Sequence, residues 1–240
     1  MRLHDLTLPD PARNLAFDEA LLALPGAGEA LRLWEADRAS VVLGRSSRRA
    51  EEVNLAACRE REVPVLRRVS GGATIVTGPG CLMYAVVLDA RRRPELLDLG
   101  AAHRFVLGRM VEALRPLTPT VVIAGTSDLV VDEAGVLKKF SGNSLRRVRD
   151  RLLYHGTLLY DFDLGLISTL LNTAPRQPEY RSSREHDAFV TNLAVDRDQL
   201  ESAVQEAWGA HPAEADTELL NTTERLAKTK YRLAEWNESR

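Results

Sequence analysis

Short β-rich segments follow one another in adjacent pairs along the chain, and this pairing is the feature that most constrains its fold. Branched and aromatic residues mark these segments, and stretches of helical periodicity separate the pairs. A short connection suits antiparallel pairing, because parallel strands need a long crossover between them. The pattern therefore predicts an α/β (α+β) chain with a mixed, largely antiparallel sheet flanked by helices.

The predicted elements lie in one continuous series. The predicted strands are 4–8, 31–34, 40–43, 65–68, 74–77, 83–88, 121–124, 129–131, 136–140 and 151–160. The predicted helices are 11 to about 24 (ended by Gly26 and Gly28), 54–62, 101–114, 164–171, 198–208 and 218–233. The turn at 132–135 predicts a hairpin, and 173–187 a polar loop. Without repeats or a low-complexity linker, we expect one domain over residues 1–240.

Composition excludes several classes of partner. The formal net charge of −2 argues against a strongly basic surface and therefore against nucleic acid as the main partner. The N-terminus lacks the apolar core of a signal peptide, and no apolar run approaches the roughly 20 residues that cross a membrane. Cys58 and Cys81 lack the spacing of zinc or redox sites. We expect a reduced, cytoplasmic protein without membrane contact.

An arginine–glycine segment is the first candidate site. A predicted strand delivers Arg67 and Arg68, and Gly71 and Gly72 follow at once. Glycines permit positive φ, and the exposed N–H groups of such a turn can bind phosphate or carboxylate oxygens. An arginine adds a bidentate fork for the same anion. The spacing fits neither a Walker loop nor a dinucleotide fingerprint, and a tight turn with two surface arginines stays an alternative.

Two adjacent lysines form the second candidate site. Only four of the 32 basic residues are lysine, and Lys138 and Lys139 end a predicted strand. A lysine in a pocket could stabilise a carboxylate and an α-phosphate as they react. Asp128 could orient that lysine or help to hold magnesium. An ordinary ion pair on a solvated hairpin is the alternative. His155, alone in a strand, is more typical of a hydrogen-bonded core residue than of a catalytic group.

These segments together resemble the lipoate–protein ligase family, within the biotin and lipoyl ligase group. Residues 67–81, RRVSGGATIVTGPGC, resemble the family pattern RRxSGGGAVxHDxGN. Further similar segments are GTSDL at 125–129, KFSGNS at 139–144, HGTLL at 155–159 and VTNL at 190–193. The resemblance covers most of residues 13–237 and keeps the motifs in order.

The resemblance implies a biotin/lipoyl ligase catalytic-domain fold, similar to the core of class II aminoacyl-tRNA synthetases. It implies that ATP and lipoate, with Mg2+ expected, form lipoyl-AMP, and that the lipoyl group passes to a lysine of a lipoyl carrier domain. Lys139 would be the catalytic residue, with Lys138 facing outward. The residues implied to bind ATP and lipoyl-AMP are Arg68, Ser70, Gly71, Gly72, Ala73, Thr74, Ile75, Val76, Thr77, Asp128, Ser144, His155 and Gly156.

The chain departs from the family pattern at three places. Ala73 replaces the third glycine, Thr77-Gly78 replaces a His-Asp pair, and Cys81 replaces an asparagine. We expect altered pocket detail rather than lost activity. We also expect the chain to lack the small C-terminal domain of many bacterial relatives, so that a separate accessory protein could be needed for activation.

Three other functions compete with a lipoate ligase. An octanoyl or lipoyl transferase of the same superfamily would hold the acyl group on a cysteine. Cys81 is the candidate there, since Cys58 is expected to be a small buried hydrophobe. A non-catalytic lipoyl- or carrier-binding protein is the second alternative. A biotin ligase is the third, although its loop differs from this one.

Overall fold

Eleven strands and nine helices are found in the computed structural model, which describes residues 1–172, 178–182 and 184–239. The strands are β1 (Arg2–Asp5), β2 (Ala30–Trp34), β3 (Ser40–Leu43), β4 (Val65–Arg67), β5 (Ile75–Thr77), β6 (Cys81–Asp89), β7 (Val121–Ala124), β8 (Asp128–Glu133), β9 (Val136–Val148), β10 (Arg151–Leu159) and β11 (His211–Pro212). The helices are α1 (Pro11–Ala23), α2 (Arg49–Glu52), α3 (Leu55–Glu60), α4 (Leu99–Leu114), α5 (Gly165–Leu170), α6 (His186–Phe189), α7 (Arg197–Trp208), α8 (Thr217–Leu226) and α9 (Ala234–Asn237).

The strands form two sheets. The large sheet has the order β11-β1-β2-β6-β10-β9-β8-β7, and the small one the order β4-β3-β5. In the large sheet β1 is parallel to both neighbours, and all other pairs are antiparallel. The predicted mixed, largely antiparallel sheet with flanking helices is confirmed. The separate small sheet was not predicted: β2 and β3 are adjacent in sequence but belong to different sheets.

Helix α1 connects the two sheets. Asp10 caps its first turn by accepting a hydrogen bond from the Ala12 N–H, and Pro11 opens it. One part of its apolar surface packs with Val87 and Leu153 of the large sheet, and another with Val42 of the small sheet. Helices α4 and α7 cover the opposite face of the large sheet. Residues of α1 therefore lie where the two sheets meet.

Three predicted boundaries are wrong for local reasons. Strand β1 does not continue to Leu8, because the backbone of Leu8 is hydrogen-bonded by the side chain of Asn14. Helix α1 ends at Ala23, before the glycines, and a 3-10 turn begins at Pro25. The predicted helix 218–233 stops at Leu226. A π turn at Ala227–Tyr231 follows, where Lys230 reaches Glu19 at 2.7 Å.

The predicted strand 136–140 is too short: β9 continues to Val148, so Lys138 and Lys139 lie within the strand rather than at its end. Two further local predictions are confirmed. The hairpin between β8 and β9 is confirmed, with Ala134 and Gly135 both at positive φ in its turn. Asn54 caps α3 through the Ala57 N–H. Of the predicted loop 173–187, residues 173–177 and 183 lie outside the described part, and a 3-10 turn spans Glu179–Arg181. Among the described residues, no helix has the length and apolar character to span a bilayer.

Candidate active site

A cavity of about 890 Å³ opens where α1, the small sheet and strands β6, β9 and β10 meet. Ten of the residues implied by the resemblance line it: Arg68, Gly72, Ala73, Thr74, Ile75, Asp128, Lys139, Ser144, His155 and Gly156. Ser70, Gly71, Val76 and Thr77 are not among the lining residues. Leu15, Val42 and Met83 add apolar surface. The cavity thus combines an apolar part with several polar and charged groups, as small-molecule sites do.

One wall of the cavity is the glycine loop, residues 71–74. The buried Arg68 guanidinium donates from Nη2 to the carbonyl oxygens of Gly71 at 2.6 Å and Ala73 at 2.9 Å. The Ser144 hydroxyl donates to Gly71 O at 2.8 Å. Gly72 has φ +84°, which favours glycine. Burial lowers the pKa of Arg68 to about 10, so the side chain stays cationic at neutral pH.

The loop keeps N–H groups available for an anion. Its carbonyls are taken up by Arg68 and Ser144, whereas the N–H groups of Gly71, Gly72 and Ala73 donate to no other group within the described ranges. Consecutive free backbone N–H groups form a concavity that binds phosphate or carboxylate oxygens. The sequence interpretation gave Arg68 the role of anion ligand. In the structure its guanidinium donates to the loop carbonyls, and a role in binding the anion directly stays a prediction.

Lys139, on β9, also lines the cavity. Its Nζ is 2.7 Å from Oδ1 of Asp128, and the Tyr180 hydroxyl donates to Oδ2 of the same carboxylate at 2.7 Å. Strand β9 has a bulge here: Val130 pairs with Lys139 and Leu129 with Ser141, so Phe140 has no partner on β8. Bulges re-aim side chains beside functional sites.

Lys138, Gly142 and Tyr180 surround Lys139 or its partner Asp128, and each has a different role. Lys138 points away, as expected of adjacent strand residues, and its Nζ pairs with Glu133 at 2.9 Å. Gly142 leaves room for the Lys139 side chain, because a Cβ at Gly142 would lie only 3.0 Å from Lys139 Nζ. Burial, with the nearby Asp128 carboxylate, raises the pKa of Tyr180 well above its usual value. The phenol therefore remains a hydrogen-bond donor to Asp128.

His155 belongs to a buried polar network beneath the cavity. Its Nε2 is 2.5 Å from Ser70 Oγ, and its Nδ1 is 3.3 Å from Asp18 Oδ2. Asp18 in turn pairs with the fully buried Arg32 at 2.7 Å. Ser70 is fully buried and accepts the Nε–H of Arg68 at 3.0 Å. This arrangement makes His155 a hydrogen-bonded core residue that supports the glycine loop, rather than the base of an exposed nucleophile.

The departures from the family pattern lie at different depths. Ala73 is exposed and lines the cavity. Thr77, Gly78 and Cys81 are buried behind the lining. Cys81 Sγ is 3.8 Å from the sulfur of Met83, which does line the cavity. Burial raises the pKa of the Cys81 thiol to about 12, which opposes formation of a thiolate nucleophile.

Several lining residues were missed from the sequence. Asp18 comes from the middle of α1, and Ser47 and Glu52 come from the segment around α2. Asp18 carried a usable signal, because a carboxylate on the buried face of a helix needs a partner. Ser47 and Glu52 sit in a short polar stretch that is ordinary for a surface loop. Within the described ranges, no group of three or more His, Cys, Asp or Glu side chains is arranged to hold a metal ion.

The fold and the cavity define an α/β protein in which a glycine loop and a lysine line the same cavity. Residues 10–207 match the Lipoyl protein ligase A/B catalytic domain, and the chain belongs to that family. It is 27% identical over 245 aligned positions to Lipoate–protein ligase 1 of Staphylococcus aureus, with 97% of this chain and 71% of that protein covered.

Solved structures share the fold. A bipartite lipoate protein ligase of Thermoplasma acidophilum, described with its E2 lipoyl domain, superimposes with a TM-score of 0.83 at 24% identity. That comparison covers 99% of this chain and 95% of the other. A lipoate-protein ligase A with bound ATP gives 0.80 at 25% identity, covering 99% and 98% of the two chains.

Proposed function

We propose that this protein is an ATP-dependent lipoate–protein ligase, which forms lipoyl-AMP and transfers the lipoyl group to a lysine of a carrier domain. The observation that carries the proposal is that Lys139 lines the same cavity as the glycine loop, with its ammonium group held by Asp128. Family membership and the likeness to an ATP-bound ligase support the same conclusion.

In the first half-reaction, a carboxylate oxygen of lipoate attacks the α-phosphorus of ATP. The new O–P bond forms as the bond to the bridging oxygen breaks, and pyrophosphate leaves with the electron pair. Negative charge is concentrated around the carboxyl and the α-phosphate. The Lys139 ammonium and the glycine-loop N–H groups are fixed before the reaction and stabilise this charge without rearranging.

In the second half-reaction, the acceptor ε-amine attacks the acyl carbonyl of lipoyl-AMP. A C–N bond forms, the C–O bond to AMP breaks, and AMP leaves as the phosphate anion while the amine releases a proton. In this proposal the Lys139 ammonium would again stabilise the departing phosphate. The apolar surface of Leu15, Val42 and Met83 suits the hydrocarbon part of the acyl group.

Magnesium does not fit Asp128 as the structure holds it. Both carboxylate oxygens are engaged, one by Lys139 and the other by Tyr180. The geometry therefore supports orientation of Lys139 as the role of Asp128. Magnesium often binds mainly through substrate phosphates and water, so its requirement stays a prediction that concerns the nucleotide rather than this carboxylate.

The acceptor and the cellular setting follow from the same proposal. The T. acidophilum ligase is bipartite and is described with an E2 lipoyl domain, which supports a lipoyl carrier domain as the acceptor here. Because that ligase is bipartite, the need for a separate accessory protein in the activation step also stays a prediction here. The cytoplasmic location stays a prediction.

Mass spectrometry of a purified lipoyl carrier domain tests the proposal. Parallel reactions contain ATP with free lipoate, ATP with free octanoate, or octanoyl carrier protein without ATP. We expect an ATP-dependent mass gain that is lost in Lys139→Ala. A gain from octanoyl carrier protein without ATP would instead identify a transferase. No gain in any reaction would sink the proposal for the isolated chain and favour an accessory requirement or a binding-only protein.

A further inference from the structure

Glu52, at the end of α2, connects two loops that line the cavity. Its Oε2 accepts hydrogen bonds from the Ser47 hydroxyl at 2.9 Å, the Thr74 N–H at 3.1 Å and the Thr74 hydroxyl at 2.6 Å. Its Oε1 accepts from the Arg48 N–H at 3.2 Å. One carboxylate thus joins the loop after β3 to the glycine loop, which is more than an ordinary surface glutamate does.

The backbone of Glu52 is itself anchored. Its carbonyl oxygen accepts the N–H of Asn172 at 3.1 Å, and Val53 forms a β-bridge with Leu171. The next N–H, of Asn54, donates to Leu170 O at 2.9 Å. The carboxylate is therefore presented from a segment that is held by the end of α5, so its position is set independently of the loops it binds.

Glu52 and Arg68 bind the glycine loop through opposite kinds of group. The guanidinium of Arg68 takes carbonyl oxygens of the loop, at Gly71 and Ala73. The carboxylate of Glu52 takes the N–H and hydroxyl donors at Thr74. The N–H groups left for a ligand are those of Gly71, Gly72 and Ala73, which precede the Thr74 N–H that Glu52 binds. The carboxylate therefore fixes the end of this run of free donors.

The two loops are also in direct contact. A Cβ on Gly44 would lie 1.9 Å from Gly72 O, so there is no space for a side chain between them. The Ser47 hydroxyl also lies 3.4 Å from that same oxygen. Glu51, the preceding residue, also lines the cavity but makes no such connection, because its side chain pairs with the exposed Arg48 guanidinium. The joining role therefore belongs to Glu52.

We propose that Glu52 is a positioning residue, which holds the glycine loop in the conformation that binds the acyl-adenylate. This inference rests on the proposed ligase function. Both oxygens of Glu52 are engaged by protein donors, so the residue acts through the loop rather than on the reacting atoms. Its loss should loosen the loop and weaken binding of lipoate and ATP while the fold is retained.

The test compares Glu52→Gln with Glu60→Gln, an exposed control on α3. The amide of glutamine replaces one acceptor oxygen by a donor and cannot satisfy all four partners. We expect hydrogen exchange of the Thr74 N–H, which Glu52 accepts, to become faster by about tenfold in the ligand-free protein. KM for lipoate and ATP should also rise by about tenfold, as loss of ~1.4 kcal/mol would give. The control should change neither quantity.

Ser47→Ala provides an independent variant. It removes one of the donors and should raise KM in the same direction, by less than Glu52→Gln. The two effects should be non-additive in a double-mutant cycle, since both variants open the same connection. Additive effects would contradict the view that Ser47 and Glu52 act through the same connection between the two loops. A Glu52→Gln protein with unchanged exchange of the Thr74 N–H, or with faster exchange but unchanged KM, would overturn the positioning role.

Failure of the proposed function gives a different result. If the wild-type protein lipoylates no carrier in any reaction, the ligase proposal falls. The affinity for ATP measured by calorimetry then decides the role of Glu52. An affinity about tenfold weaker in Glu52→Gln than in wild type would support the positioning role of the loop at a nucleotide site. Equal affinity in the two proteins would reject it.

Discussion

The ammonium nitrogen of Lys139 lies 2.7 Å from Oδ1 of Asp128, and the second oxygen of that carboxylate accepts the hydroxyl of Tyr180. The pair is only partly exposed, with 27% of the lysine side chain and 12% of the aspartate side chain accessible. Since the aspartate is fixed from both sides, the lysine is held in one orientation towards the cavity. This arrangement is suited to a charge that must be in place before a reaction begins.

Lys139→Ala should remove most of the adenylation activity. Loss of one preorganised donor to developing charge lowers turnover by about 10²–10³-fold in comparable sites. We expect this loss in pyrophosphate release with ATP and lipoate. Lys139→Arg should not rescue the activity, because a planar guanidinium fork does not replace a compact ammonium group.

Lys138→Ala is the matched control for this variant. Lys138 has the same chemistry, but its ammonium group pairs with Glu133 outside the cavity. Pyrophosphate release should be the same as in wild type. Equal losses in the two alanine variants would indicate a general effect of the hairpin and contradict a specific role for Lys139.

Tyr180→Phe should lower activity modestly through Asp128. The hydroxyl–carboxylate bond is lost, whereas the ring keeps its contact with Phe189 at 5.3 Å between centroids. A single hydrogen bond contributes a net ~0.5–1.5 kcal/mol, so kcat/KM should fall by roughly three- to tenfold. Steady-state kinetics of lipoylation measure the change.

Tyr160→Phe is the control for Tyr180→Phe, because it also removes a tyrosine–carboxylate hydrogen bond. Its hydroxyl donates to Glu35 at 2.7 Å, and neither residue lines the cavity. The kinetics of this variant should match wild type. If both phenylalanine variants lowered kcat/KM alike, the Tyr180 effect would reflect overall stability rather than the orientation of Lys139.

Cys81 should behave as an inert thiol. Burial raises its pKa from a usual value of 9.0 to about 12. The native protein should therefore resist iodoacetamide at pH 8, and peptide mapping should find Cys81 alkylated only after denaturation. Cys81→Ala should keep ATP-dependent lipoylation. Rapid alkylation of the native protein, or an acyl thioester on Cys81, would revive the transferase alternative.

The same pKa shift gives a pH dependence of stability. The unfolded chain releases the thiol proton near pH 9.0, whereas the folded protein retains it up to about pH 12. The contribution of this group is therefore fully present below pH 9 and declines as the pH rises between those values. Denaturant titrations should show a smaller alkaline loss of unfolding free energy in Cys81→Ala than in wild type.

Local sequence signals predicted much of the site. The RRVSGG, KFSGNS and HGTLL segments all contribute residues to the cavity, because such short motifs leave a pattern within a few residues. The hairpin between β8 and β9 and the cap at Asn54 were predicted for the same reason. Each depends on residues that are near one another in the chain.

Long-range contacts account for what the sequence did not show. Periodicity indicates which face of an element is buried but not which element covers it. Nothing local to Glu52 indicates that its carboxylate meets Thr74, and nothing near Tyr180 indicates Asp128. The small sheet was missed for a related reason, since β3 pairs with β5 across a long connection rather than with its neighbour β2.

Gly156→Ala should destabilise the protein at the cavity. A Cβ at this position would lie 1.8 Å from Oδ1 of Asn143 and 2.9 Å from the Tyr84 ring. The Asn143 side chain accepts the Tyr84 hydroxyl at 2.5 Å and donates to Ser127 O at 2.9 Å, so its displacement would break both bonds. Overpacking of this kind lowers the free energy of unfolding by ~1–3 kcal/mol.

Gly108→Ala is the opposite case, because nothing lies within 4 Å of the added Cβ and the residue is inside α4. Alanine in a helix interior is more favourable than glycine by ~0.5–1 kcal/mol. Calorimetry should therefore show a higher Tm for Gly108→Ala and a lower Tm for Gly156→Ala. An unchanged Tm for Gly156→Ala would mean that the Asn143 side chain can move away from the new methyl group at no cost. That result would contradict a fixed position of Asn143 beside the cavity.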